Sequence, residues 1–221
     1  MFPSFFKDID VNSLHCDAFK FVKHHQVPFP LSNNRSLVPF LLINYDIWGP
    51  SRIHNVLRAT WFVTFINDCT RMASVFLLKQ KSNKSSVLLI FCSMIKNQFG
   101  VSVKNIRLNN VRDYFNQFLS PFLQRECIIN QSSCVDTPQH VAKRKNRHLL
   151  QVTRPLLFQN HVPKSYWGET VLTATHLINR LPPWVLGFKS HIKVFYEYFP
   201  NFSVFPKLPP KIFGCVICLY S

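Results

Sequence analysis

Three short segments, residues 41–45, 61–67 and 73–78, are dense in apolar, β-branched and aromatic side chains and follow one another early in the chain. Runs this short fit buried strands better than buried helices, and Gly49-Pro50-Ser51 supplies a turn between the first two. The period then changes. Ser82 stands where it can cap a helix reaching residue 98, with Val87, Ile90, Phe91, Met94 and Ile95 at helical spacing and Gly100 as the stop. A strand over 103–108, a helix over 113–125 and a last short strand at Ile128 and Ile129 come next. Helices over 141–158 and 164–181 finish the core; Pro182-Pro183 blocks the second, and Pro155 predicts an early end or a kink in the first. Consecutive strands followed by alternating helix and strand predict an α/β fold, a mixed sheet flanked by helices.

The charge balance narrows the partners. Lysine and arginine number 26 against 10 acidic residues, a net charge of +16 in 221 residues. Such an excess attracts polyanions, with nucleic acid first. A membrane surface is the competing polyanion, but the longest apolar stretch, residues 87–92, is far short of a spanning segment. The start of the chain lacks a signal-peptide core, because Lys7 and Asp8 follow directly on Phe5 and Phe6. Seven scattered cysteines point to reduced thiols and an intracellular setting. Cys215 and Cys218 lie in an apolar run where strand alternation sends them to opposite faces, so they read as core rather than as a metal pair.

Several motifs carry a more specific signal. Tyr45-Asp46-Ile47-Trp48-Gly49-Pro50 is followed by Phe62-Val63-Thr64-Phe65-Ile66-Asn67-Asp68-Cys69-Thr70-Arg71. Much later come Ser165-Tyr166-Trp167-Gly168-Glu169, Ala174 and Leu177-Ile178-Asn179-Arg180. In this order the runs resemble the integrase core of copia-type retrotransposon Pol polyproteins. The resemblance implies a ribonuclease-H-like mixed sheet over residues 36–200, a remnant of a zinc-binding segment over 1–30 and a linker toward a reverse transcriptase over 201–221.

It also implies a site. Integrases of this type hold two magnesium ions with an Asp, Asp, Glu trio, one ion activating the attacking oxygen and the other stabilising the leaving one. Asp46 fits the first position, at the end of the first strand. Asn109 stands where the second Asp would be, and Lys143 where the Glu would be; the long-then-short spacing of the three follows the family pattern. The Asn-Gly pair that the family carries before residue 141 is missing. An ammonium in place of a carboxylate reverses the sign of a term worth on the order of 4 kcal/mol per charge pair at about 4 Å and an effective dielectric near 20. These departures predict a degenerate copy with a vestigial magnesium site at Asp46 and no productive metal binding. Asp68, Asp113, Glu126 and Asp136 are the carboxylates near enough in sequence to be weighed as replacements.

The remaining expectations follow the same line. Cys16 is a vestigial zinc ligand, since Phe19 occupies the position of its Cys-x-x-Cys partner and no histidine pair precedes it; His15, His24 and His25 read as solvated or loosely packed. Lys143, Arg144, Lys145, Arg147 and His148 form the densest basic run and are the candidate DNA-binding residues, giving salt-dependent, sequence-independent affinity through phosphate contacts. The partner is therefore DNA, in the nucleus if the chain is expressed, with a homo-oligomer implied by the resemblance alone. Two alternatives stand beside this reading: an active magnesium-dependent polynucleotidyl transferase using a rescuing carboxylate, and a non-enzymatic basic host protein.

Overall fold

The computed structural model describes residues 35–108, 119–132, 141–159 and 161–201. The chain divides into two compact units at Asn34 and Arg35, and all described residues belong to the second. Five strands make its sheet: β1 (Leu42–Trp48), β2 (Trp61–Asn67), β3 (Ala73–Leu78), β4 (Asn105–Leu108) and β5 (Ile129–Ser132). Their spatial order is β3-β2-β1-β4-β5, with β1, β2 and β3 antiparallel and β4 and β5 added in parallel beyond β1. The antiparallel strands are joined by short loops, whereas each parallel addition needs a helical crossover. Those crossovers carry α1 (Lys84–Phe99) and α2 (Leu119–Arg125); α3 (Val141–Gln159), α4 (Trp167–Arg180) and α5 (His191–Tyr198) follow the sheet.

The period of two along β1 and β2 sorts their side chains between two layers. Ile43, Tyr45, Val63 and Phe65 pack with Leu88, Phe91 and Ile95 of α1, Leu119 and Leu123 of α2 and Phe195 of α5. Phe65 stacks on Phe91 at 4.1 Å. On the other face Phe62 packs with Leu149 of α3 and with Trp167, Val171, Ala174 and Ile178 of α4, and Ile66 meets Ala142. Each large apolar side chain so buried stabilises the fold by roughly 1.5–3 kcal/mol. Asn44, Asp46 and Trp48 share this second face, and it is here that the candidate site lies. Among the described residues no helix is long and apolar enough to cross a membrane.

The sheet matches the expected ribonuclease-H-like architecture, with local differences. β2 and β3 have the predicted ends, but β1 runs to Trp48 rather than stopping at residue 45. Its ladder continues through Asp46↔Thr64, Ile47↔Val63 and Trp48↔Phe62, so Asp46 sits within the strand and not at its end. Ser82 is not a helix cap: it lies inside a 3₁₀ turn, Lys81–Asn83, and α1 starts behind Asn83 with no side-chain cap bond. Gly100 does end α1, in the left-handed conformation at φ 65° with its N–H on the Lys96 carbonyl at 3.0 Å. α3 does not end early at Pro155 but runs on to Gln159. The carbonyl deprived of its donor is that of Gln151, on an exposed turn where water can serve it, while Leu156 and Leu157 beyond the proline pack into the second layer. The short helix α5 is an addition to the predicted elements; Ser190 caps it, its hydroxyl accepting from Lys193 N–H at 3.3 Å.

Candidate nucleic-acid interface

Asp46 projects from the middle of the second sheet face toward α3. Its Oδ2 accepts from the Asn146 amide at 3.0 Å, and Asn146 Oδ1 in turn accepts from the Thr64 hydroxyl at 2.6 Å. Thr64 is the cross-strand partner of Asp46, so the three side chains lock strand, strand and helix into one polar contact, buried at Thr64 and Asn146 and partly exposed at Asp46. Motif reasoning does not single out Asn146 or Thr64. A signal for the first exists in the chain order: Asn146 lies three residues beyond Lys143, on the same side of α3.

Beside this contact opens a cleft of about 590 Å³ lined by Asp46, Trp48, Lys143, Arg147, Gln151 and Arg154 among others. The α3 residues recur at intervals of three, four and seven, one face of a helix. Asp46 is the only carboxylate among the described residues that line the cleft, against three cations. Among the described residues no cluster of three His, Cys, Asp or Glu side chains could hold a metal ion. Two magnesium ions demand hard oxygen donors, mostly carboxylate and water. Among the described residues the cleft offers them a single carboxylate, already engaged by an amide, and Lys143 lines the same cleft. Asn109, Asp113, Asp136 and Cys16 lie outside the described residues.

The basic run divides by helical phase. Lys143 and Arg147 line the cleft, Arg144 and His148 are exposed elsewhere on α3, and Lys145 turns inward. Lys145 Nζ lies 3.5 Å from Nε2 of His191, whose Nδ1 is 3.3 Å from the Thr70 carbonyl. Burial, with the neighbouring Arg71, lowers Lys145 to about 8. Burial, then Lys145, lowers His191 to about 4, so its imidazole is neutral at pH 7. Partial burial and Lys145 also lower His148, which adds no charge to the helix at neutral pH. Arg154, which lies beyond the dense basic run, completes the cleft about two helical turns after Arg147.

Two of the candidate replacement carboxylates are committed elsewhere. Asp68 is buried, accepting from Asn44 Nδ2 at 3.0 Å, from Ser36 N–H at 2.9 Å and from Arg71 at 2.9 Å. Glu126 pairs with Lys96 at 3.2 Å, directly after α2.

The family-like motifs have mostly architectural roles. Trp48 stacks on Phe62 at 5.1 Å and meets the edge of Trp167 at 6.0 Å. Trp167 Nε1 donates to the Ile53 carbonyl at 2.9 Å, and the Ser165 carbonyl accepts from Val56 N–H at 3.0 Å, so the early and late motifs dock on each other. Gly49 has φ 138°, and a Cβ there would stand 2.7 Å from the Trp61 ring and 2.8 Å from the Thr60 carbonyl; only glycine suits that approach. Asn179 clasps both backbone groups of Ala73, accepting from N–H at 3.0 Å and donating to the carbonyl at 2.8 Å, and so fixes the start of β3 to α4.

No family model matches the sequence. Among curated proteins, the retrovirus-related Pol polyprotein from transposon TNT 1-94 of Nicotiana tabacum is 33% identical over 202 residues, covering 90% of this chain and 15% of that protein. The corresponding polyprotein from transposon RE2 of Arabidopsis thaliana is 32% identical over 204 residues, 91% of this chain and 14% of its own length. The chain thus spans about one-seventh of the curated relatives it matches. Among solved structures, the HTLV-2 integrase catalytic core domain in complex with magnesium superimposes with a TM-score of 0.53 at 13% identity, over 72% of this chain and 99% of that one. A chain of the simian T-cell lymphotropic virus intasome gives 0.56 at 17% identity, over 80% and 58%. With the β3-β2-β1-β4-β5 sheet and its two helical layers, these likenesses show that the chain is homologous to retrotransposon Pol polyproteins over nine-tenths of its length and folds as a retroviral-type integrase catalytic core.

Proposed function

We propose that this chain is an integrase core that binds DNA through its phosphates and neither cuts nor joins strands. The observation that carries the reading is Lys143 in the cleft beside Asp46. A two-metal displacement needs carboxylates to position both ions, and an ammonium in that cleft opposes them while attracting a phosphodiester. Arg147 and Arg154 extend the same preference along α3, about 6 Å and about 16 Å from Lys143 at 1.5 Å per residue. Contacts of this kind position a backbone without reading bases. A DNA partner makes the nucleus its working compartment.

The test is strand transfer on a labelled terminal duplex with magnesium or manganese. It compares this chain, Asp46→Ala, the double replacement Asn109→Asp with Lys143→Glu, and the double replacement with Asn-Gly inserted before Val141. The unrepaired chain should give no product; the double replacement should bind divalent ions before it turns over, since a ligand misplaced by about 1 Å can cost on the order of a hundredfold in rate. Divalent-dependent product from the unrepaired chain, abolished by Asp46→Ala, would overturn the proposal. DNA affinity measured against salt should fall steeply and be indifferent to sequence.

A further inference from the structure

Arg35, Arg71, Arg107, Arg144 and Lys145 come from four separate segments and gather around Asp68, and none of them lines the cleft beside Asp46. Asp68 Oδ1 accepts from Arg71 at 2.9 Å and from Asn44 Nδ2 at 3.0 Å, and Oδ2 accepts from the N–H of Ser36, the residue after Arg35. Arg107 is the β4 partner of Asn44 and shares its sheet face; its Nη2 donates to Gln131 at 3.1 Å. From the other side, the carbonyl of Thr70, next to Arg71, meets His191, whose Nε2 lies 3.5 Å from Lys145 Nζ, and Arg144 precedes Lys145 on α3. Burial lowers the Arg71 pKa, Asp68 opposes that shift, and Arg35, Arg144 and Arg107 add to it.

Among the described residues this group sets five cations against the single Asp68 carboxylate, which already holds three donors, while His191 is neutral at pH 7. Like charges at partial burial repel more strongly than in water, and a bound anion replaces that repulsion with attraction. The donors are within reach of solvent: the Arg71 side chain is 20% exposed, Arg35, Arg107 and Lys145 are half-buried, and Arg144 is exposed. Guanidinium forks match phosphate oxygens in bidentate pairs. One phosphodiester brings a single charge, whereas a chain of linked phosphates brings several and can meet forks from separate segments at once. We infer that this cluster binds a compact anion with a di- or triphosphate chain, held chiefly by Arg71, Arg107 and Arg144. The site is separate from the DNA cleft and uses none of Lys143, Arg147 and Arg154.

The probes are inorganic tripolyphosphate, orthophosphate and a nucleoside triphosphate, titrated into the full chain at about 0.15 M salt, where exposed charges more than about 8 Å apart are largely screened. Tripolyphosphate should bind at least about tenfold more tightly than orthophosphate and shift the Nε–H resonances of Arg71 and Arg107. Arg144→Gln and Arg107→Gln should each weaken it about tenfold, and Arg154→Gln, in the cleft, by less than about twofold. The nucleoside triphosphate identifies the source: tighter binding than tripolyphosphate marks a nucleotide, equal or weaker binding the inorganic chain, and either supports the site. No binding, equal affinity for orthophosphate, unmoved arginine resonances, or a loss carried by Arg154→Gln and not by Arg144→Gln would each overturn the inference. If Arg107→Gln does not fold, Arg144→Gln decides alone, since that side chain is exposed.

Discussion

Trp48 and Asp46 are two residues apart on β1 and face the same layer, yet their surroundings are built very differently. Around Trp48, aromatic rings, two tight glycines and paired polar groups interlock: Trp167 reaches Ile53, and a Cβ on Gly168 would come within 2.8 Å of Leu77. Around Asp46, one carboxylate and three cations among the described residues line an open cleft. Packing is a sum over many contacts, most of which survive a change at one position. Two-metal chemistry depends on the charge sign of three side chains and fails with one or two of them. A chain can therefore keep an integrase fold and most of its recognisable motifs while the charge pattern of its cleft changes.

Trp167→Ala should break the first region outright. It uncovers Trp48 and Phe62 and leaves a cavity, costing about 3–5 kcal/mol and lowering the melting temperature by roughly 10 °C or more. A loss under about 1 kcal/mol in a thermal or urea melt would show that the Trp48–Trp167 contact is not what holds α4 to the sheet.

Asn179→Ala tests a polar element of the same architecture. It strips both hydrogen bonds from Ala73 and strands buried backbone groups, so a loss of about 2 kcal/mol is expected. Hydrogen exchange should reveal it first at the start of β3.

Lys143→Glu sharpens the contrast, since the cleft should matter for binding and not for folding. Stability should change by no more than about 0.5 kcal/mol. DNA affinity at low salt should fall about tenfold, and the dependence of log K on log salt should be shallower by about one. An unaltered salt slope would remove Lys143 from the interface.

Lys145→Met should have the smallest effect and the opposite sign. Folded Lys145 titrates near 8 and unfolded lysine near 10.5, so below pH 8 the fold carries a partly buried charge, and its stability rises as pH climbs through that interval. The methionine variant should be more stable by about 1 kcal/mol at pH 7, after allowance for solvent around the exposed part of the side chain, and the gain should vanish near pH 10.5. His191 adds an acid limb: its imidazole titrates near 4 in the fold against 6.5 unfolded, so stability should fall as pH drops from 6.5 to 4. If Lys145→Met instead weakens DNA binding as strongly as Lys143→Glu, the inward assignment of Lys145 is wrong.

Much of this architecture is legible in the chain order. β2 and β3 are dense apolar runs bounded by turn residues, and their ends follow from that pattern. β1 reads too short because Asp46, a charged residue, looks like a terminus; its ladder to Thr64 and its bond to Asn146 keep it in the strand. α5 escapes a reading by period because a single Ser190 cap and eight residues give little periodicity. The basic run of α3 is recognisable as helical, but its division into cleft-facing Lys143 and Arg147 and inward Lys145 depends on helical phase against a sheet that the run itself does not describe.

By itself the sequence determined the mixed α/β class and the excess of basic over acidic residues, because period and net charge are properties of the chain order. Only the tertiary structure decided that Asp46 is tied to Asn146 and, through it, to Thr64, that Arg154 joins the cleft, that Asp68 and Glu126 are spent on other partners, and that Asn67 holds the Phe40 N–H. Each of these joins residues from segments distant in the chain, and which face they share is settled by strand register and helix phase together, which no local stretch of sequence contains.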